Sequence, residues 1–185
     1  MGKFNAATLK ANLGLASTRL SLLKNKRANA IAAKKDIIAN YLRAGNEDMA
    51  MINVESVIND ENYISVYEIL AMMCAQCSER IRVIAEFTDP PRDMLASIHT
   101  LVYAAPYADC DELTKIKEQF ALRYSKHMVA AASDNRDGFV NSSVEVRLRT
   151  TIPEQKLKEM KLQEIAAERR VEYVSRSSMM SVSPS

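Results

Sequence analysis

Residues 6–43 read AATLKANLGLASTRLSLLKNKRANAIAAKKDIIANYLR, a stretch with no proline and a single glycine, Gly14. Its apolar residues recur at helical spacing and fall, at about 100° per residue, within roughly one-third of a helical wheel. The set comprises Leu9, Leu13, Leu20, Leu23, Ile31, Ile38 and Tyr41. The pattern predicts one long amphipathic helix, which Gly45 can end by taking the left-handed cap conformation.

A second helix of similar length is predicted to follow directly. Asn46 can cap it, and Glu47 and Asp48 place negative charge at the positive end of its dipole. No proline or glycine interrupts the chain before Pro90. Because a connection of only three residues joins the two helices, we expect residues 6–88 to fold as an antiparallel hairpin.

Proline, glycine and acidic residues divide the remaining sequence into shorter helices. The predicted helices cover residues 92–104, 109–132 and 153–171. Residues 133–143, rich in Asp, Asn and Ser, form the clearest loop. Residues 144–148 alternate apolar and charged side chains, which fits either a short strand or one or two helical turns.

These elements predict an all-α protein. Four glycines and five prolines are few for 185 residues, so the turn-rich composition of β-sandwiches and barrels is missing. We expect one helical core over residues 1–174, made of the hairpin at 6–88 and shorter helices at 91–171. The Ser- and Met-bearing tail, 175–185, is too polar to fold alone and is predicted to be disordered. No apolar run is long enough to cross a bilayer, so we expect a cytoplasmic protein that meets membranes from outside.

Charge is divided unevenly along the sequence. The first 43 residues carry nine Lys or Arg and one acid, Asp36, a net charge of +8, whereas the other 142 residues carry −6. Five cations that lie on one flank of the apolar stripe form a basic flank: Lys3, Lys10, Lys24, Lys35 and Arg43. The basic flank is predicted to contact lipid headgroups, nucleic-acid phosphates or an acidic face of a neighbouring subunit; the alternative is a solvated surface. Arg27 and Lys34 interrupt the stripe itself, and they either extend to solvent or pair with acids on the second helix.

Motifs for catalysis or metal binding are weak. Cys74 and Cys77 form a C-x-x-C pair, but they lie in the middle of the second predicted helix, and no second pair follows. We interpret them as buried small apolar side chains with reduced thiols. The sequence has no phosphate loop, G-x-S-x-G or H-E-x-x-H motif, and neither His99 nor His127 has an orienting partner next to it in sequence. We therefore expect no enzymatic activity, cofactor, metal or small-molecule substrate.

Three segments, in order, resemble one known family. They are Asn12-Leu13, Arg19-Leu20 and Leu22 to Arg27; then Val54 to Ile58 and Glu68 to Leu70; then Leu101 to Pro106, Glu112-Leu113, Phe120 and Tyr124 to Lys126. Together they cover about residues 9–130 and are similar to the ESCRT-III-like proteins named for increased sodium tolerance, which regulate endosomal sorting. Residues 153–173 resemble the last core helix of that family more loosely.

The resemblance implies an ESCRT-III-type core, in which shorter helices pack against the open end of the long hairpin and 144–148 form a short helix. Family members assemble into filaments with ESCRT-III subunits of the charged multivesicular body protein type, and they modulate the AAA ATPase that takes such filaments apart. The implied function is regulation and filament assembly in multivesicular body sorting and membrane remodelling, peripheral on anionic endosomal membranes. Longer members dock on the MIT domain of the ATPase through a C-terminal helix, and no such docking motif is seen before Ser185.

Members of the family also bind a partner's C-terminal amphipathic helix in a groove between core helices. The resemblance implies that Leu157, Leu162 and Ile165 line this groove; the alternative is that they are ordinary core residues. A different class of function is a nucleic-acid-binding helical module that uses the basic first helix. Against that alternative, the isoelectric point is only about 8.4 and no aromatic residue interleaves the basic residues for base stacking.

Overall fold

The computed structural model describes residues 2–149 and 152–181. Every regular element within these ranges is helical, which confirms the predicted all-α class. The α-helices are α1 Ala6–Arg43, α2 Glu47–Glu79, α3 Ile81–Glu86, α4 Leu95–Ala104, α5 Asp111–Arg123, α6 Lys126–Ser133, α7 Ser142–Arg149, α8 Gln155–Glu168 and α9 Arg176–Met180. A 3-10 turn at Arg92–Met94 leads into α4.

The connection between α1 and α2 forms as predicted. Gly45 takes a left-handed conformation with φ 71°. The amide of Asn46 donates to the carbonyl of Tyr41 at 2.9 Å, and the amide of Gly45 donates to that of Leu42 at 3.1 Å. These two bonds form a Schellman motif that satisfies the last carbonyls of α1. The side chain of Asn46 then accepts from the amide of Met49 at 3.2 Å and caps α2.

The second helix ends earlier than predicted. Arg80 leaves the helical region, with φ −104° and ψ 24°, and divides the predicted helix into α2 and α3. Its guanidinium pairs with the carboxylate of Asp93, beyond the prolines that follow α3. The break coincides with a tertiary ion pair, and neither proline nor glycine marks it in the sequence.

The predicted helix over 109–132 is also two helices. Ser125 is extended between α5 and α6, and its Oγ accepts from the amide of Met128 at 3.0 Å. A serine N-cap of this kind starts a new helix even where the apolar pattern continues. Residues 144–148 lie in α7, so the helical alternative, which the resemblance implied, is confirmed.

The chain forms two compact units. Unit 1 contains Met1–Asn25 and Tyr63–Arg149. Its core joins the beginning of α1 and the end of α2 to the helices α3 to α7. Fully buried side chains in this core include Leu9, Leu13 and Leu20 of α1, Tyr67 and Leu70 of α2, Ile98 and Leu101 of α4, and Phe120 of α5.

Unit 2 contains Lys26–Asn62 and Thr150–Ser185. Its core comprises Ile38 and Leu42 of α1, Ala50, Val54, Val57 and Ile58 of α2, and Leu162, Ile165 and Ala166 of α8. The last core helix therefore packs in the unit that contains the α1–α2 turn, which differs from the expectation that all the shorter helices pack at the open end. Ion pairs between α8 and the hairpin, described below, account for this placement.

The tail differs from its predicted disorder over the residues that the structure describes. Residues 176–180 form α9, and Ser175 before it is buried. Arg176 pairs with acids in the first turn of α2, a tertiary contact that composition does not reveal. Residues 182–185 lie outside the described range.

Leu13 and Leu15 test the register of α1, because Leu13 is 1% exposed and Leu15 is 58% exposed. We expect Leu13→Ala to lower the free energy of unfolding by about 2–5 kcal/mol through lost burial and a cavity. Leu15→Ala is the matched control and should change it by less than about 0.5 kcal/mol. Urea denaturation followed by circular dichroism measures both. Equal losses for the two variants would contradict the assigned core face.

Candidate interaction surface

Two basic residues in the apolar stripe of α1 are neutralised inside unit 2. Asp60 of α2 is buried, and its carboxylate accepts from Nη1 of Arg27 at 2.8 Å and from Nζ of Lys34. Lys34 also donates to Oγ of Ser56 at 2.7 Å. One carboxylate thus holds two cations of the facing helix, so of the two alternatives left open by the sequence, pairing with an acid on the second helix is the one observed.

The basic flank divides into bound and unbound cations. Nζ of Lys24 lies 3.0 Å from a carboxylate oxygen of Glu68, and Nζ of Lys35 lies 2.9 Å from one of Glu168. Arg43 donates to the carbonyl of Arg169 at 3.1 Å. Lys3 and Lys10 are exposed and make no side-chain hydrogen bond or ion pair with any residue in 2–149 or 152–181. The partners of these three cations lie on α2 or at the end of α8. Lys24, Lys35 and Arg43 therefore connect α1 to other helices of the same chain.

Charge pairs also hold α8 on the hairpin. Nζ of Lys158 lies 2.9 Å from Glu55, and Nζ of Lys161 lies 2.8 Å from Glu61. Arg169, just after α8, pairs with Asp36 at 2.8 Å. Burial lowers the pKa of Lys161, but its hydrogen bonds to Glu61 and Glu164 outweigh burial, so the pKa lies above its ordinary value. These contacts orient the apolar side of α8 toward the core of unit 2.

The residues expected to line a partner groove do not share one surface. Leu162 and Ile165 are fully buried in the core of unit 2, which is the alternative the sequence left open. Leu157 is 45% exposed, and Met160, one helical turn away, is 57% exposed. A groove lined by all three predicted residues is absent from the described part of unit 2, and the apolar surface that α8 offers consists of Leu157 and Met160.

Helix α1 also has exposed apolar residues that the sequence analysis did not predict. Leu15 and Leu22 lie seven residues apart, opposite the core stripe, and are 58% and 63% exposed. Lys10 lies five residues before Leu15, about 140° around the helix, and no acid precedes Asp36 in the chain. We call Lys10, Leu15 and Leu22 on the outer side of α1, together with Lys3 in the segment just before the helix, the α1 outer face. The sequence could have indicated this face through Leu15 and Leu22, which lie outside the apolar stripe. A count of charged residues does not reveal them.

The cysteines are buried in unit 1, as predicted for Cys74 and Cys77. Desolvation raises the pKa of Cys77 to about 12 although Arg80 opposes the shift, and burial likewise raises the pKa of Cys74. Burial raises the pKa of Cys110 to about 11. All three thiols are therefore protonated at neutral pH and are poor nucleophiles.

No group of three His, Cys, Asp or Glu is placed to hold a metal ion within residues 2–149 and 152–181. Burial lowers the pKa of His99 although Asp137 opposes the shift, so its imidazole is neutral at pH 7. None of the helices formed by these residues has the length and apolar character needed to cross a bilayer.

The chain is similar in sequence to one known protein family. The family model for Ist1, described as a regulator of Vps4 activity in the MVB (multivesicular body) pathway, matches residues 10–172. An IST1-like protein of Dictyostelium discoideum is 34% identical over 170 residues, which make up 92% of this chain and 46% of the relative. Vacuolar protein sorting-associated protein IST1 of Saccharomyces cerevisiae is 25% identical over 187 aligned positions, covering 96% of this chain and 62% of the relative. This chain thus spans about half to two-thirds of these relatives.

A solved structure has the same fold. The N-terminal domain of S. cerevisiae Ist1, in complex with the Did2 MIM motif, superposes with a TM-score of 0.84 at 23% sequence identity. The match covers 94% of this chain and 96% of that domain. At this identity the match establishes the fold, and it confirms the predicted ESCRT-III-type helical core.

Asp60 tests whether the paired cations stabilise the hairpin. We expect Asp60→Asn to lower the free energy of unfolding by about 2 kcal/mol, because one of the two charged hydrogen bonds loses its acceptor and both cations lose their counter-charge at a buried position. Asp134→Asn, which breaks an exposed local pair with Arg136, is the control and should cost less than about 0.5 kcal/mol. Thermal and urea unfolding measure both, and a neutral Asp60→Asn would show that the cations simply turn to solvent.

Proposed function

This chain belongs to the Ist1 family, and we propose that it regulates ESCRT-III assembly in multivesicular body sorting. It binds ESCRT-III subunits of the charged multivesicular body protein type and modulates the AAA ATPase that disassembles their filaments. It acts without catalysis, from the cytoplasm, on endosomal membranes. The family match over residues 10–172 carries this proposal.

The arrangement of charge supports a protein-binding function over a nucleic-acid-binding one. Six of the nine cations in the first 43 residues contact other side chains or carbonyls of the same chain: Arg19, Lys24, Arg27, Lys34, Lys35 and Arg43. Cations committed in this way release few counterions on binding a phosphate backbone. The alternative of a nucleic-acid module therefore loses the feature that suggested it.

A helical motif of an ESCRT-III subunit is the partner we infer for α8. The yeast Ist1 domain with the same fold was solved with the Did2 MIM motif. In this chain, Leu157 and Met160 provide the exposed apolar positions of α8, and Lys156 and Glu154 add charge nearby. A helix that lays an apolar stripe on Leu157 and Met160 would bury both side chains. Leu162 and Ile165 support this surface from beneath rather than touching the partner.

Docking of the partner helix on Leu157 predicts that the Leu157→Asp variant binds this helix more weakly. A labelled helical peptide from the C-terminus of a charged multivesicular body protein should bind the variant about tenfold or more weakly than it binds the unchanged chain, since one leucine is no longer buried. Leu122→Asp on α5 is the matched control, because Leu122 is similarly exposed and lies in unit 1. Fluorescence anisotropy measures both affinities. Equal weakening by the two changes, or none by Leu157→Asp, would exclude this docking position.

We infer that the α1 outer face contacts the anionic membrane. Lys3 and Lys10, which pair with no acid in the described part of the chain, supply positive charge. Leu15 and Leu22 supply apolar side chains that can enter the headgroup region. Lys35 and Arg43 are held by Glu168 and Arg169 at the end of α8. The charge of Lys35 is therefore compensated within unit 2, whereas Arg43 keeps its charge and stays exposed.

The membrane contact predicts a loss of vesicle binding in the Lys3→Glu/Lys10→Glu variant. With about 1 kcal/mol for each cation near an anionic surface, binding to vesicles that contain phosphatidylserine should fall by at least about tenfold. Lys115→Glu/Lys126→Glu changes the net charge equally at exposed positions elsewhere and should retain most of the binding. Co-sedimentation at two salt concentrations measures the effect. Undiminished binding of the first variant, or equal binding of the unchanged chain to neutral vesicles, would refute this role.

A further inference from the structure

The segment after α8 folds back over unit 2. Arg170 has a left-handed φ of 55°, and the amide of Val171 donates to the carbonyl of Ala166 at 2.8 Å, so the chain reverses at the end of α8. Val171 and Tyr173 then pack against the core cluster that contains Leu42. We call residues 171–181 the strap. It includes the five-residue helix α9, which is too short to be stable alone.

Two polar side chains hold the strap on the first turn of α2. The hydroxyl of Tyr173 donates to Oε1 of Glu47 at 2.8 Å. The guanidinium of Arg176 lies 3.3 Å from Oε2 of Glu47 and 3.1 Å from Oδ1 of Asp48. The strap is therefore anchored by contacts between neutral or positive groups and carboxylates.

Ser177 makes the third anchor, to α8. Its Oγ lies 2.9 Å from Oε2 of Glu159, and because a carboxylate only accepts, the Ser177 hydroxyl is the donor. The Ser177 proton is thus committed, so the buried hydroxyl of Ser175, 2.6 Å away, donates to Oγ of Ser177. Ser177 itself is exposed. An exposed hydroxyl therefore completes a hydrogen-bond chain that ends on a carboxylate.

Negative charge is disfavoured at this position. Burial raises the pKa of Tyr173, and the hydrogen bond to Glu47 and the charges of Glu47 and Glu159 raise it further, while Arg176 opposes them. The same two carboxylates that resist a tyrosinate would resist any other anion introduced beside them. Arg176, the cation next to Ser177, is already engaged by two acids.

We propose that Ser177 is a phosphorylation site and that a phosphate on its Oγ releases the strap from unit 2. A serine kinase transfers the γ-phosphoryl group of ATP to Oγ: the new O–P bond forms, the bond to the β-phosphate oxygen breaks, and ADP and the hydroxyl proton leave. The modification replaces a hydrogen-bond donor with a group carrying about −1.5 to −2 charges that faces Glu159. The phosphate also competes with Glu47 and Asp48 for Arg176. Two of the three anchors on acidic residues, those of Ser177 and Arg176, are thereby weakened together.

Release of the strap uncovers an apolar area beside the α1–α2 turn. The strap lines a cavity of about 290 Å³ together with Leu42 and Gly45, and Tyr173, Val174 and Met179 form its other wall. Without the strap, Leu42 loses the cover that keeps it 7% exposed. This inference does not rest on the proposed function, because it concerns contacts within unit 2.

Hydrogen exchange of the full chain with phosphoserine encoded at position 177 tests the release. Amides of the strap should exchange at least about tenfold faster than in the unmodified chain, because local opening becomes less costly. Phosphoserine at 178 is the matched control: it places the same charge one residue away, on a hydroxyl with no carboxylate partner among the described residues. It should leave exchange within about twofold of the unmodified chain. Adding Glu159→Gln to the phosphoserine-177 chain should restore much of the protection. Equal exchange with phosphate at 177 and at 178, or unchanged exchange with phosphate at 177, would overturn the proposal.

The phosphoacceptor role itself is tested with ATP and a panel of purified serine kinases. Tandem mass spectrometry should locate phosphate on Ser177 of the full chain, and Ser177→Ala should abolish that site while leaving α8 protected from exchange. Modification of Ser178 or Ser181 with Ser177 left unmodified by every kinase that acts on the strap would overturn the assignment.

Discussion

The bridge from Asp60 to Arg27 and Lys34 is the interaction on which the hairpin depends. Both cations interrupt the stripe by which α1 faces α2, so the helices of unit 2 can close only if their charge is neutralised between them. One buried carboxylate does this for two helical turns of α1. The apolar contacts around it, from Ile38 and Leu42 to Val54 and Val57, then close in register.

The sequence predicts local structure well where periodicity and capping agree. The bounds of α1, the left-handed Gly45 and the Asn46 cap were all predicted, because each depends on residues within a few positions. The breaks at Arg80 and Ser125 were missed for different reasons. Arg80 leaves the helix where it pairs with Asp93, a tertiary contact, whereas Ser125 carries a capping signal that the continuing apolar pattern concealed.

The candidate surfaces were harder to predict because the basic residues of α1 have two different roles: some pair with other helices of the chain, and others remain exposed to solvent. A lysine on the flank of α1 looks the same in sequence whether it faces solvent or a glutamate more than 100 residues away, as Lys35 does. Only folding shows that Lys24, Lys35 and Arg43 stabilise the helices around them, while Lys3 and Lys10 find no partner among residues 2–149 and 152–181. The family resemblance supplied the fold and the class of partner that we propose, but the exposed positions on α8 and on the outer side of α1 emerged from burial.

The three protonated thiols have a practical consequence. Cys74, Cys77 and Cys110 all lie in the core of unit 1, where an alkylating reagent can reach them only when that core opens. The rate at which these native cysteines are alkylated therefore reports how often the core of unit 1 opens, and no engineered probe is needed. Mass spectrometry would measure this alkylation rate. Because all three cysteines lie in unit 1, the rate would report on that unit alone.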